Sequence, residues 1–170
     1  ILADPRTHPD GAVRAALCGR LARAIGARGM VLGQALDIAA ETAPAPLTLD
    51  EITALQAAKT GALIGWAAQA GAVLAGADPR PLADYAQALG LAFQIADDIL
   101  DVEGDVEKLG KRVHKDAHRG KATFVSLMGL DGARARAAEL AEQACAALAP
   151  YGERAGLLCA AARFAVTRER

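Results

Sequence analysis

The chain has little of what builds sheets, membrane spans or disulfide scaffolds. Only 4% of its 170 residues are aromatic and only seven are proline, while alanine, the strongest intrinsic helix former, is abundant and strand-favouring residues are sparse. These shortages exclude an all-β fold. Arg, Lys, Gln, Asp or Glu interrupts every hydrophobic run before it reaches the roughly 18 apolar residues of a membrane span, so stable membrane insertion is not expected. The three cysteines, Cys18, Cys145 and Cys159, are widely spaced and form no C-x-x-C pair. That argues against zinc or redox work and for buried thiols in a reducing cytoplasmic setting. Nineteen Lys and Arg against twenty Asp and Glu give a net charge of -1, which leaves no overall field to attract nucleic acid. Any charge chemistry must be local.

What remains is a chain of the length of a single helical domain, residues 1–170, with 53% hydrophobic residues to fill its core. Two proline clusters interrupt it, Thr42-Ala-Pro-Ala-Pro-Leu47 and Asp78-Pro-Arg-Pro81, each too short to be a domain linker. Thr48-Leu-Asp-Glu51 reads as a capping box, with Leu47 and Ile52 at the two staple positions. A helix is therefore expected from residue 49 to about residue 74, with an apolar stripe through Ile52, Leu55, Leu63 and Trp66. The same periodicity predicts helices near residues 11–24, 27–41, 81–103, 120–128, 132–148 and 153–168. Between Gly104 and Gly120 no apolar period survives, and Lys108, Lys111, Arg112, His114, Lys115 and Arg119 suggest a basic loop.

The segment richest in chemistry is Phe93-Gln-Ile-Ala-Asp-Asp-Ile-Leu-Asp101. Helical spacing puts Gln94, Asp97, Asp98 and Asp101 on one side. Like charges four apart destabilise a helix by about 0.2 to 0.5 kcal/mol, so three carboxylates gathered there call for a cation. Magnesium suits them: it takes one or two carboxylates and leaves its other positions to water and phosphate oxygens, whereas calcium wants more protein oxygens. The basic loop that follows, with Lys111, Lys115 and Lys121 near glycines, suits a metal-bridged phosphate. Lys59 lies on the stripe between Leu55 and Leu63, which aims its ammonium inward, where it needs a carboxylate partner or an anionic ligand. The ligand in an interhelical cavity is the expectation here. Gln34 and Asp37 sit three apart in Gly33-Gln-Ala-Leu-Asp37, and Gly26, Gly29 and Gly33 suggest a close helix approach.

Taken together, Gly33-Gln-Ala-Leu-Asp37, Lys59-Thr-Gly-Ala-Leu63, Gly90 to Asp101, Gly104-Asp105, Leu109-Gly-Lys111 and Gly120-Lys-Ala-Thr-Phe124 resemble the trans-isoprenyl diphosphate synthases, in that family's order and spacing. The resemblance implies an all-α bundle of isoprenoid-synthase type and a prenyltransferase that elongates an allylic diphosphate with isopentenyl diphosphate, using Mg2+. It implies Asp97 as a direct metal ligand, Asp98 and Asp101 acting mostly through metal-bound water, and Asp37 with Gln34 supporting the metal and the substrate diphosphate from a neighbouring helix. Lys59, Lys111 and Lys121 would grip the allylic diphosphate, while Thr60 and Gln94 would face the carbon that becomes cationic. A homodimer is expected for the full-length protein, as is a cytoplasmic location.

The departures from that family are as informative. Nothing in residues 1–32 supplies the first aspartate-rich motif D-D-x-x-D, and Asp4 and Asp10 are isolated beside prolines. The arginines and lysine that bind isopentenyl diphosphate are missing as well. The chain thus resembles the C-terminal part of a synthase, truncated at its N-terminus, and the 170 residues alone are expected not to turn over. A non-catalytic synthase-like subunit or interaction module is the alternative, and a terpene cyclase of the same fold a further one. His114 and His118 read as solvated, and Trp66, Tyr85, Phe93, Phe124 and Phe164 as core. Arg163, Arg168 and Arg170 read as ordinary favourable charges at a helix end.

Overall fold

The computed structural model describes residues 1–109 and 122–168, and among them every regular element is helical. Helix α1 spans Gly11–Ile25 and starts where the Asp10 carboxylate accepts from the Ala12 amide at 2.8 Å. Helix α2 spans Met30–Ala40 and α3 spans Leu49–Gln56. The expected capping box is present, the Glu51 amide donating to Thr48 Oγ1 and the Thr48 amide to Glu51 Oε2. Helix α3 runs through a π-helical turn, Ala57–Gly61, into α4, Ala62–Leu74. The sequence predicts one helix over 49–74, and the π turn is an added feature within it. Such turns widen a helix by one residue and cluster at functional positions.

Helix α5, Arg80–Leu109, is 30 residues long and so runs about 45 Å. It continues past Gly104, where the sequence suggests a loop. Helix α6, Phe124–Ala147, is broken at Gly129, whose φ of 72° is open to glycine at little steric cost. That break divides it near the predicted boundary between residues 128 and 132. A 3-10 stretch, Ala149–Ala155, leads into α7, Gly156–Thr167.

The centre of the molecule is the α5–α6 pair, with α7 and α4 packed on its flanks. Ala92, Ala133 and Ala137 are buried among Ile95, Ile99, Phe124 and Leu140, so small residues let the two backbones approach while the larger ones fill the gaps. A second cluster, around Tyr85, Ala144 and Leu148, joins α5 and α6 to α7, and Tyr85 Oη donates to the Leu158 carbonyl at 2.9 Å. Two side chains depart from the expected stripes. Phe164 is 66% exposed rather than core, and Leu63 is 37% exposed, so the stripe of α4 turns before it reaches that position.

Helix α2 is packed differently. Its sequence, MVLGQALDIAA, is apolar around nearly its whole circumference, a pattern that belongs to a helix surrounded by protein. Only Gly33 and Asp37 are buried, while Val31, Leu36 and Ile38 are 55%, 43% and 57% exposed. No described helix is long and apolar enough to cross a membrane.

Candidate diphosphate and metal site

Two crossings build the site. At the first, α2 lies against the π turn, and Gly33 makes this possible. A Cβ at position 33 would stand 2.2 Å from the Lys59 backbone nitrogen and 2.4 Å from its Cα, distances no side chain tolerates. The close helix approach expected from the glycines is therefore present. One turn further along α2, Asp37 Oδ2 accepts from Lys59 Nζ at 2.6 Å. Of the two partners the sequence leaves for Lys59, the structure has the carboxylate, where the anionic ligand was expected. The pair is not sealed, since the Lys59 side chain is one-third exposed and keeps access to solvent or a ligand. One turn before it, Gln56 Oε1 is buried without a hydrogen-bond partner among the described residues, an acceptor left for water or a bound group. Thr60 is half-buried and Gln34 is exposed.

At the second crossing the π turn lies against α5, where a Cβ on Gly90 would be 3.3 Å from the Gly61 Cα. At about 100° per residue, Gly90, Gln94, Asp97 and Asp101 fall within about 40° of one line along α5. The face of α5 that meets the Lys59-bearing turn is thus the face that carries the acidic row. Asp97 is about 10 Å further along the helix axis than the crossing, by the 1.5 Å rise per residue.

Within the row, Gln94 Nε2 donates to Asp97 Oδ2 at 3.2 Å. The other oxygen, Oδ1, is ion-paired with the Arg168 guanidinium, which also lies over the Phe93 ring at 4.3 Å from its centroid. Desolvation by burial, joined by repulsion from Asp101, raises the Asp97 pKa despite the opposing pull of Arg168. Asp98 departs from the expected row. About 100° around the helix from Asp97, its Oδ2 accepts from the Phe124 backbone N–H at 2.7 Å, at the start of α6. Burial raises its pKa as well, and the Phe124 amide works against that shift.

Carboxylate oxygen is the donor type that a hard cation such as magnesium takes. Among the described residues no group of three or more His, Cys, Asp and Glu is gathered closely enough to hold a metal by itself. Asp97 and Asp101, four apart and both oxygen donors, are the kind of ligand that a partly hydrated Mg2+ takes one or two of. Lys111 and Lys121, with Lys115, His114 and His118, lie outside the described residues. The role of Arg168 was not visible in the sequence: it is 71 positions from Asp97, a separation that no helical spacing connects.

A family model described as polyprenyl synthetase matches residues 17–150. Farnesyl diphosphate synthase of Geobacillus stearothermophilus is 46% identical over 138 residues, 79% of this chain and 45% of that protein. The farnesyl diphosphate synthase of Escherichia coli K12 is 44% identical over 144 residues, 82% and 48% of the two. Among solved structures, an FPP/GFPP synthase from Zymomonas mobilis superposes with a TM-score of 0.85 at 44% identity, covering 96% of this chain and 55% of that one. A Helicobacter pylori geranyltransferase, solved in complex with magnesium and isoprenyl diphosphate, gives a TM-score of 0.69 at 33% identity over 92% of this chain and 52% of that one. The chain spans about half the length of the curated relatives it matches.

Proposed function

The chain belongs to the polyprenyl synthetase family, and we propose on that premise that it is the C-terminal part of a prenyltransferase that joins isopentenyl diphosphate to an allylic diphosphate. The observation that carries this reading is the crossing at Gly61 and Gly90, which brings the Lys59-bearing turn onto the acidic face of α5. An ammonium group on a turn packed against the carboxylate-bearing helix would suit a diphosphate shared with a divalent ion. The named relatives include two farnesyl diphosphate synthases, and they favour chain elongation over cyclisation.

Asp97 and Asp101 would hold Mg2+, which supplies charge neutralisation on the departing diphosphate. Lys59 binds a diphosphate oxygen through its exposed ammonium, and Asp37 holds that ammonium in place from α2. Lys111 and Lys121 add further positive charge. The allylic carbon–oxygen bond breaks with its electron pair going to the diphosphate, leaving an allylic carbocation. The Thr60 hydroxyl and the Gln94 amide oxygen present preorganised dipoles to that cation in a site that excludes water. The double bond of isopentenyl diphosphate attacks, and loss of a proton to the released pyrophosphate restores an alkene five carbons longer. No side-chain nucleophile takes part.

In this reading residues 1–170 form a single helical domain of a cytoplasmic, homodimeric enzyme, and the uncovered apolar surface of α2 is where the remaining half of the synthase bundle sits. The chain alone does not turn over. The test is a chimera in which this chain follows the first half of the G. stearothermophilus farnesyl diphosphate synthase, assayed with labelled isopentenyl diphosphate, geranyl diphosphate and Mg2+. The chimera is expected to make elongated product and D97N in the same background is expected to lose at least 100-fold. A folded but inactive chimera, or product from the unfused chain, contradicts the proposal.

A further inference from the structure

The carboxylate that leaves the acidic row is the one the proposed chemistry does not absorb. We propose that Asp98 is a positioning residue, a cap donated by α5 to the N-terminus of α6 that fixes the start of α6 against the acidic helix. The inference stands on geometry alone and does not depend on the functional reading.

The first amides of any helix lack intrahelical acceptors. At the start of α6, Thr123 meets part of this need as N-cap: its Oγ1 accepts from the Ser126 amide at 3.1 Å, and its own amide donates to Ser126 Oγ at 2.9 Å. That box leaves the Phe124 amide, the first of the helix, without a local side-chain acceptor among the described residues. Asp98 Oδ2 takes it from 26 residues away at 2.7 Å. An ionised acceptor at a helix N-terminus makes a short, charge-assisted bond and also opposes the positive end of the helix dipole.

The consequence is a register. Phe124 is buried, with its ring in the cluster that holds Ile95 and Ile99. A bond from position 98 therefore pins backbone and side chain of the same residue to α5, and with them Ala122, which is also buried. Asp97 and Asp98 are adjacent in sequence yet have different partners, because a helical step of about 100° directs one to Arg168 and the other to the start of α6.

The test separates the acceptor from the charge and from mere loss of packing. In the full chain, amide exchange at Phe124 is followed by two-dimensional NMR in wild type, D98N and D98A. The proposal expects the Phe124 amide to be protected in wild type, to exchange at least tenfold faster in D98A, and to stay within about threefold of wild type in D98N, whose amide oxygen can still accept. The Phe124 amide proton should also shift upfield in D98A, and by less in D98N, whose neutral oxygen makes the weaker bond. Equal exchange in wild type and D98A would overturn the proposal, as would D98N behaving like D98A. Should D98A not fold, an unprotected Phe124 amide in wild type, or its loss of protection in D98N, would still refute it.

Discussion

Helices α6 and α2 are both rich in apolar residues, yet one is surrounded and the other is not. Where α6 meets α5, Ala133, Ala137, Leu140 and Phe124 are buried against partners within the chain. On α2, Val31, Leu36 and Ile38 face outward and only the Gly33–Asp37 edge is covered. The α5–α6 region is finished by its own residues, whereas α2 is built for neighbours that the described chain does not provide. That difference leaves the Lys59–Asp37 pair on the one covered edge of α2, and it agrees with relatives twice as long.

The contrast yields predictions that fall in size from the finished region to the open one. Phe124→Ala should be the most damaging, costing about 3 to 5 kcal/mol in urea unfolding, because the neighbours of a buried aromatic relax only partly. Gly33→Ala should follow at about 2 to 3 kcal/mol, since the new methyl meets the Lys59 backbone rather than a flexible side chain. Asp37→Ala removes one partner of a pair whose lysine is one-third exposed, so about 1 kcal/mol is expected once solvent screening is allowed for. On the open face, Leu36→Gln or Ile38→Gln should change stability by less than about 0.5 kcal/mol and reduce self-association in sedimentation. A large loss from either would show that α2 is covered after all.

A pH series sharpens the same comparison at the acidic helix. Burial gives Asp97 a folded pKa above its unfolded value. The folded state therefore holds the proton more tightly, and the stability tied to that proton is full below the unfolded pKa and is lost as pH rises through the folded one. Relative to wild type, D97N should be favoured most at neutral pH, with the advantage shrinking as pH falls through the folded pKa, read from chemical unfolding midpoints. A difference that stays constant with pH would mean that Asp97 titrates as in the unfolded chain.

Much of this was legible in the sequence because it depends on local rules. Thr48 and Glu51 announce a helix start through neighbours three apart, Gly33 announces a close approach, and alanine with 3.6-residue spacing announces an all-helical fold. The features that were not legible join distant residues. Nothing in the spacing directs Asp98 to Phe124 rather than to the acidic row, or brings Arg168 onto Asp97 and Phe93. The π turn at Ala57–Gly61 is likewise invisible, since weak helix formers such as Thr60 and Gly61 do not specify a π rather than an α turn, and the turn's contacts are with the distant α2 and α5. The partner of Lys59 was open between a carboxylate and a ligand because an inward-pointing ammonium specifies a negative charge without specifying its source.

The central claim, that Asp97 and Lys59 serve one diphosphate through a divalent ion, is tested most directly by calorimetric titration of the chain with geranyl diphosphate in the presence and absence of Mg2+. The account predicts weak binding that requires Mg2+ and is lost in both D97N and K59A, with the fold of each variant intact by circular dichroism. Binding of equal strength without Mg2+, or unchanged in either variant, would contradict it.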